Sequence, residues 1–216
     1  MARQEGSNVL SRIGDLSLVP VVRMEDAQNA TRMAQSLTAG GLPCAEIVFR
    51  TRAAEEAMSL VASHLPEMVL GAGTVLSVDQ AERAVLAGAQ FVVSPGFNPA
   101  VVDWCLDNDV PVVPGVATPT EIEMALQRGL EILKFFPAEV SGGVKMLKAL
   151  AGPYSGVRFV PTGGLNATNL ASYLRLSSVH ACAGSWLAPS DCISAGAFDR
   201  ITQVVRESLC IVRKYR

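Results

Sequence analysis

Short apolar runs alternate with segments of helical period eight times along this 216-residue chain. The apolar runs are residues 18–23, 44–50, 69–75, 91–94, 111–117, 132–138, 158–162 and 179–183. The helical segments between and after them are residues 25–39, 53–64, 79–87, 99–108, 118–128, 144–150, 166–174 and 198–212. Continuous apolar runs are typical of strands that are covered on both faces. The alternation therefore predicts an α/β fold with a parallel sheet.

Right-handed crossovers in series give either a closed (β/α)8 barrel or an open, doubly wound sheet. Eight units, and the absence of a G-x-G-x-x-G motif after the first strand, favour the TIM barrel. No linker or low-complexity tract interrupts the pattern. We therefore predict a single barrel domain over residues 1–216, with the first fifteen or so residues forming an N-terminal helix or arm outside the barrel.

The charge balance excludes several classes of partner. Half of the residues are hydrophobic and 18% are charged, as in a compact globular protein. The net charge is −2, and no basic cluster precedes the last few residues. Neither nucleic acid nor a membrane surface is favoured as a partner.

The cysteines and histidines argue against a metal site. The five cysteines are scattered without a C-x-x-C pair, and the two histidines belong to no metal-binding motif. We expect free thiols, no metal and no cofactor. Residues 1–15 lack the apolar core of a signal peptide, and turn residues interrupt the uncharged stretch 84–102, so we expect a cytoplasmic protein.

A lysine in the middle of an apolar strand is the most informative single residue. Lys134 lies in Ile132-Leu133-Lys134-Phe135-Phe136, where it shares a strand face with Phe136. Desolvation lowers the pKa of a lysine and makes its amine a nucleophile, so a Schiff-base lysine is one interpretation. A lysine that reaches water from a strand end, or pairs with a core carboxylate, is the other.

Polar residues collect at the predicted carboxyl ends of the strands, where barrel enzymes place their catalytic groups. They are Arg23, Glu46, Arg50, Thr51, Thr74, Ser94, Thr118, Lys134, Thr162, Gly163, Gly164, Gly184 and Ser185. Glu46 lies within an apolar strand and shares a face with Arg50, which we expect nearer the mouth. A Glu46–Lys134 pair could transfer protons, or could be a structural salt bridge.

Two glycine turns follow the last two predicted strands, at Gly163-Gly164 and Gly184-Ser185. Backbone N–H groups in such turns bind anions, and barrel phosphate sites commonly occupy this position. A glycine pair can also be a tight turn alone.

Several motifs occur together in one order along residues 15–213. They are Glu46-Ile47…Arg50-Thr51, Gly71-Ala72-Gly73-Thr74-Val75, Ser94-Pro95-Gly96, Pro114-Gly115, Lys134-Phe135-Phe136-Pro137-Ala138-Glu139, Gly142-Gly143-Val144-Lys145, Pro161-Thr162-Gly163-Gly164 and Gly184-Ser185-Trp186. With them, the chain resembles the class I 2-keto-3-deoxy-6-phosphogluconate (KDPG) aldolases, which often also act as 4-hydroxy-2-oxoglutarate aldolases.

The resemblance implies a metal-free (β/α)8 barrel, usually a homotrimer. It implies that Lys134 is the Schiff-base lysine and Glu46 the general acid/base. Arg50 and Thr74 would hold the pyruvate end, with Pro95 and Phe136 lining the pocket. Arg23 is a further candidate for substrate binding, at a position where some relatives carry arginine and others an aliphatic residue. The phosphate candidates are Thr162, Gly163, Gly164, Gly184 and Ser185.

The predicted reaction is reversible cleavage of KDPG to pyruvate and glyceraldehyde 3-phosphate, with 4-hydroxy-2-oxoglutarate as a second candidate substrate. Two alternatives stay open at this point. One is a sugar-phosphate isomerase or epimerase with Glu46 as base, and the other is a non-catalytic barrel that binds a sugar phosphate. The preferred aldehyde partner, including the galacto epimer of KDPG, also stays open.

Overall fold

Strands and helices alternate through the computed structural model, which describes residues 2–216, with side chains from Val9 onward. The strands are β1 Leu18–Val22, β2 Cys44–Val48, β3 Val69–Gly73, β4 Phe91–Val93, β5 Val112–Val113, β6 Gly115–Val116, β7 Ile132–Phe135, β8 Arg158–Pro161 and β9 Cys182–Gly184. The helices are α1 Ala2–Leu16, α2 Ala30–Gly40, α3 Ala54–His64, α4 Val78–Leu86, α5 Pro99–Asp107, α6 Pro119–Leu126, α7 Gly143–Ala151, α8 Leu170–Leu174, α9 Ser190–Ser194 and α10 Phe198–Val212.

The strands pair in parallel, as predicted for an α/β protein. Six of them form a sheet in the order β5-β4-β3-β2-β1-β9, and the other three form a sheet in the order β6-β7-β8. A single parallel bridge, Thr162 with Ala183, joins the ends of β8 and β9. The closed barrel goes beyond these ladders and stays a prediction.

The predicted fifth strand, residues 111–117, was wrong as one element. The chain forms two short strands on either side of Pro114, and they belong to different sheets. Proline has no amide N–H to donate to a ladder, so pairing is interrupted there. The carbonyl oxygen of Pro114 still accepts from the Lys134 N–H at 2.9 Å.

Several predicted strands end earlier than the apolar runs do. β1, β2 and β3 stop at Val22, Val48 and Gly73, because the backbone leaves the ladder to enter the loops. β7 ends at Phe135, two residues before Pro137, which cannot donate to a ladder. The last strand is displaced toward the carboxyl end, to Cys182–Gly184, and Val179 contributes only an isolated bridge to Phe159.

The predicted helices are present with small shifts. The first opens with a 3-10 turn at Ala27–Asn29 before α2 begins. The cap at Thr118 is confirmed, since Glu121 Oε2 accepts from the Thr118 N–H at 2.8 Å. The 3-10 turn Ser185–Leu187 and the short helix α9 were not predicted from the sequence pattern.

Two apolar clusters cover the two faces of the strands. Ala45 and Ile47 of β2 belong to the larger cluster, which the helices share, whereas Cys44 belongs to the smaller cluster on the inner face. Because side chains alternate along a strand, Glu46 points to the inner face as well. The predicted N-terminal helix is present, and its Ile13 packs into the inner cluster. Met1, included in the predicted domain and arm, lies outside the described residues.

Within residues 2–216, no helix combines the length and the apolar character needed to cross a membrane. The cysteines are free thiols, and Cys44, Cys105 and Cys182 are buried. Burial raises the pKa of Cys105 and of Cys182 to about 12, which keeps these thiols protonated and unreactive.

Candidate functional site

A buried lysine and a buried glutamate meet on the inner face of the strands. Lys134 on β7 and Glu46 on β2 are 5% and 2% exposed. Lys134 Nζ lies 3.2 Å from Glu46 Oε1, within hydrogen-bond distance. The pair therefore places an amine beside a group that can take or return a proton.

The amino-terminal side of this pair is apolar. A cavity of about 20 Å3 reaches both charged side chains. Its other walls are aliphatic and aromatic, from Leu10, Ile13, Val19, Phe91, Val93, Val113, Ile132 and Val160. Such walls offer an ordered water no polar partner other than the pair itself.

An aromatic ring and a proline loop lie close to the lysine. Lys134 Nζ is 5.5 Å from the centroid of the Phe136 ring, a cation–π distance. Pro95 reaches the same region through its backbone. A Cβ on Gly115 would lie 2.1 Å from the Pro95 carbonyl oxygen, and Gly115 pairs in register with Lys134.

Arg50 and Thr74 contact each other beyond the ends of neighbouring strands. The Arg50 Nε donates to Thr74 Oγ1 at 3.1 Å. Arg50 is exposed and lies in a turn after β2, so the prediction that it continues the Glu46 face of a strand was wrong. Thr74 has a φ of 57°, an uncommon conformation for a threonine, and follows β3 directly. Both side chains lie at the carboxyl ends of the strands, as predicted for a binding group.

Arg23 also lies beyond its strand, just after β1. Its Nε is 2.8 Å from Glu25 Oε1, and both side chains are about half exposed. The register of β1 with β2 places Arg23 at the same end of the sheet as Arg50. Its ion-pair partner Glu25 was not singled out in the sequence.

The two predicted glycine turns lie side by side. The bridge between Thr162 and Ala183 brings Gly163-Gly164 next to Gly184-Ser185. Gly163 and Gly164 have φ values of 100° and 83°, which glycine adopts without strain.

The carbonyl groups of Thr162 and of the Gly163-Gly164 loop accept hydrogen bonds from neighbouring segments of the protein. Thr162 O accepts from the Ala138 N–H at 2.8 Å, and Gly163 O accepts from the Glu139 N–H at 3.1 Å. Gly164 O accepts from Asn169 Nδ2 at 3.1 Å. The loop is therefore fixed before any ligand arrives.

Two contacts of the site were missed in the sequence. Gly73 lies against the Glu46 carboxylate, and Tyr173 of α8 donates to Glu139 Oε1 at the back of the glycine loop. Alternating glycines in the run 71–73 indicate close approach to the strand, which was the available signal for Gly73. Nothing in the sequence pattern joins Tyr173 to Glu139.

The comparisons with known proteins agree on one family. The family model described as KDPG and KHG aldolase matches residues 9–204. A 2-dehydro-3-deoxy-phosphogluconate aldolase of Treponema pallidum is 50% identical over 195 residues, which are 90% of this chain and 93% of that protein.

Two solved structures have the same fold. The KDPG aldolase from Legionella pneumophila, with pyruvate captured as a covalent carbinolamine intermediate, is 35% identical with a TM-score of 0.89, covering 94% of this chain and 97% of that one. The 2-keto-3-deoxy-6-phosphogluconate aldolase of Zymomonas mobilis with 3-phosphoglycerate is 34% identical with a TM-score of 0.85, covering 94% of each. With its matching motifs and its buried lysine–glutamate pair, this chain belongs to the KDPG and KHG aldolase family.

Proposed function

We propose that this protein is a Schiff-base aldolase that cleaves KDPG reversibly to pyruvate and glyceraldehyde 3-phosphate. The observation that carries the proposal is the 3.2 Å contact between Lys134 Nζ and Glu46 Oε1 in a buried position. Family membership supports it, as does the Legionella relative that holds pyruvate as a covalent carbinolamine. The KHG activity named in the family description supports 4-hydroxy-2-oxoglutarate, cleaved to pyruvate and glyoxylate, as a candidate second substrate.

Lys134 forms the covalent bond in this mechanism. Glu46 takes a proton from the amine, and the neutral nitrogen attacks the C2 ketone to give a carbinolamine. Loss of water, with the proton returned through Glu46, leaves an iminium ion. Glu46 then removes the C4 hydroxyl proton, the C3–C4 bond breaks, and its electron pair moves into the iminium to form an enamine. Protonation at C3 and hydrolysis release pyruvate and regenerate the amine.

The remaining candidates hold the two ends of the substrate. In this proposal Arg50 and Thr74 bind the carboxylate next to the ketone, a role that suits the guanidinium's planar set of donors. Pro95 and Phe136 line the pocket, and Arg23 adds a positive charge at its edge. The phosphate binds at Thr162, Gly163, Gly164, Gly184 and Ser185. The Zymomonas relative, which contains 3-phosphoglycerate, supports a phosphorylated three-carbon end.

We further propose that the two sheets complete a single (β/α)8 barrel. Two observations support closure: the Thr162–Ala183 bridge between β8 and β9, and the one-residue gap at Pro114 between β5 and β6. One cluster of inner residues draws on strands of both sheets, which supports a single domain. The homotrimer, the cytoplasmic location and the absence of a metal stay predictions.

Borohydride reduction in the presence of pyruvate tests the mechanism. We expect a stable pyruvyl adduct on Lys134 in the peptide map. Lys134→Ala should abolish both the adduct and aldolase turnover, whereas Lys148→Ala, an exposed lysine on α7, should retain both. An adduct on another lysine, or a Lys134→Ala variant with substantial turnover, would contradict the proposal. Absence of any adduct would favour an isomerase, an epimerase or a binding protein.

Glu46→Gln separates proton transfer from covalent attachment. An amide can fill the same space but cannot accept and return a proton. We expect pyruvate trapping to survive at a lower rate, because water can carry the protons of the slow trapping reaction, while turnover of KDPG falls by a factor on the order of 10² or more. Unchanged turnover would remove Glu46 from the mechanism.

A further inference from the structure

A tyrosine–glutamate hydrogen bond lies directly behind the glycine loop. Tyr173 of α8 is fully buried, and its hydroxyl donates to Glu139 Oε1. Glu139 as a residue is exposed, so its carboxylate spans the boundary between the protein interior and water. Burial, and secondarily the hydrogen bond to Glu139, raises the pKa of Tyr173, which keeps the phenol protonated as a donor.

The aliphatic stem of the Glu139 side chain, its Cβ and Cγ, packs against the Gly163-Gly164 loop. A Cβ added to Gly164 would lie 2.7 Å from both Cβ and Cγ of Glu139, so the glycine backbone and the glutamate stem are in close contact. The Glu139 N–H also donates to Gly163 O at 3.1 Å. One residue therefore holds the loop through its backbone, its stem and its carboxylate.

Glu139 is also connected to the lysine by a short piece of chain. Five residues after Lys134, it follows Phe136, whose ring packs near Gly163: a Cβ on Gly163 would lie 3.4 Å from Phe136 Cδ2. The segment 134–139 thus spans from the Lys134 amine to the glycine loop. Its far end is fixed to α8 through Tyr173.

We propose that Glu139 and Tyr173 are positioning residues that set the distance between the Lys134 amine and the Gly163-Gly164 loop, and thereby favour phosphorylated substrates over unphosphorylated ones. The inference rests on the proposed aldolase function and on phosphate binding at that loop. A six-carbon phosphate ester must reach both points at once, whereas 4-hydroxy-2-oxoglutarate carries no phosphate for the loop. Displacement of the loop therefore weakens binding of KDPG and leaves binding of 4-hydroxy-2-oxoglutarate unchanged.

The charge of Glu139 points to a role in placing the loop rather than in binding the ligand. A carboxylate beside an anion site repels a phosphate, so direct contact with the substrate would be unfavourable. Its Oε1 is already engaged by Tyr173 and its stem by Gly164. The Glu139–Tyr173 pair therefore fixes the backbone of the Gly163-Gly164 loop.

Kinetics on two substrates test the proposal. For Tyr173→Phe we expect kcat/KM for KDPG to fall about tenfold, because one hydrogen bond to a charged group is lost. The fall should come from a rise in KM rather than from a change in kcat. Cleavage of 4-hydroxy-2-oxoglutarate should change less than about twofold, and pyruvate trapping on Lys134 should be intact. Glu139→Met, which keeps a stem but offers no strong acceptor, should behave like Tyr173→Phe.

Glu139→Gln is the conservative variant. Its amide oxygen accepts the same hydrogen bond, so KM for KDPG should stay within about twofold of the wild-type value. Tyr154→Phe is the matched control, because Tyr154 donates to Glu123 Oε1 at 2.9 Å in a second tyrosine–glutamate pair outside the loop. It should leave the kinetics of both substrates unchanged.

The possible outcomes distinguish failure of the proposed aldolase function from failure of the positioning role of Glu139 and Tyr173. If the wild-type protein gives no adduct and cleaves neither substrate, the proposed function is wrong and the inference falls with it. If the wild-type protein cleaves both, three results overturn the positioning role alone. They are equal losses on both substrates in Tyr173→Phe, no loss at all in that variant, or a Glu139→Gln variant as impaired as Glu139→Met.

Discussion

The position of the Glu46 carboxylate depends on the absence of a side chain at residue 73. A Cβ on Gly73 would lie 2.1 Å from Glu46 Oε1 and 2.7 Å from its Cδ and Cγ. Both residues lie on strands of the same sheet, so neither backbone can move aside without loss of the ladder. The glycine therefore provides the space in which the carboxylate meets the lysine.

Gly73→Ala should displace the Glu46 carboxylate from Lys134. A shift of about 1 Å in a reacting group can cost a factor on the order of 10² in rate, so we expect a fall in kcat of that order. Overpacking should also lower the free energy of unfolding by about 1–3 kcal/mol. Steady-state kinetics and urea denaturation measure the two effects.

Gly156→Ala is the control for this substitution. A Cβ on Gly156 would meet nothing within 4 Å, and its φ is not positive. This variant should keep both wild-type turnover and wild-type stability. A Gly73→Ala protein with wild-type kcat would show that the carboxylate tolerates the crowding and that its position is less critical than the mechanism requires.

The sequence pattern singles out Lys134 and Glu46, which form the buried pair, but not the residues that position them. Lys134 and Glu46 are conspicuous because each is a charge inside an apolar run, and burial of a charge needs a reason. Arg50 was assigned to a strand face, but the strand ends at Val48 and the side chain reaches Thr74 from a turn. The residue at which a strand ends depends on hydrogen bonds to neighbouring strands. An apolar run in the sequence does not predict those hydrogen bonds.

At the scale of elements, helix α1 is part of the core rather than an arm. Ile13 lies in the inner cluster, with Val9 and Leu10 packed against it. A second contact holds the helix, because His180 Nε2 lies 2.8 Å from the Leu10 carbonyl oxygen and its ring packs on Gly14. The polar composition of residues 1–15 hid this apolar stripe, which a helical count of residues 9, 10 and 13 would have found.

The contact between α1 and His180 predicts a pH-dependent stability. Burial lowers the pKa of His180 from its ordinary value of 6.5, and the hydrogen bond to Leu10 only partly opposes the effect. As pH falls below about 6.5, the unfolded chain takes up a proton at His180 before the folded chain does. Because the unfolded state then binds more protons, the free energy of unfolding decreases as pH falls toward the folded pKa.

Replacing the imidazole should remove this part of the pH dependence. His180→Gln keeps a donor toward Leu10 but does not titrate, so its stability should fall less than that of the wild type between about pH 7.5 and about pH 5.5. Urea denaturation at several pH values measures the difference. His64→Gln, the only other histidine of the chain and exposed at the end of α3, is the matched control. Parallel curves for His180→Gln and the wild type would contradict the prediction.

At the scale of the whole molecule, the buried Lys134–Glu46 pair joins the two sheets. Glu46 belongs to the six-stranded sheet and Lys134 to the three-stranded sheet. Alternating apolar and helical segments were enough to predict parallel strands separated by helices, because each unit is local, but not the division of the fifth strand at Pro114. Whether the ends of the sheets meet depends on pairings between residues far apart in the chain, such as Thr162 with Ala183, and these leave no local signal.

If the sheets form one barrel domain, they should unfold in one step. The inner cluster takes Val160 from the three-stranded sheet and Val19, Cys44 and Phe91 from the other, so opening either sheet exposes apolar surface of both. Hydrogen exchange with mass spectrometry, in increasing urea, can follow residues 44–48 and 69–73 separately from residues 132–135 and 158–161. We expect the slowest amides of both groups to lose protection at the same urea concentration, because they share one global unfolding reaction. Earlier loss of protection in 132–135 and 158–161 would mean that the sheets are separate cooperative units, and Lys134 would then leave Glu46 before the protein as a whole unfolds.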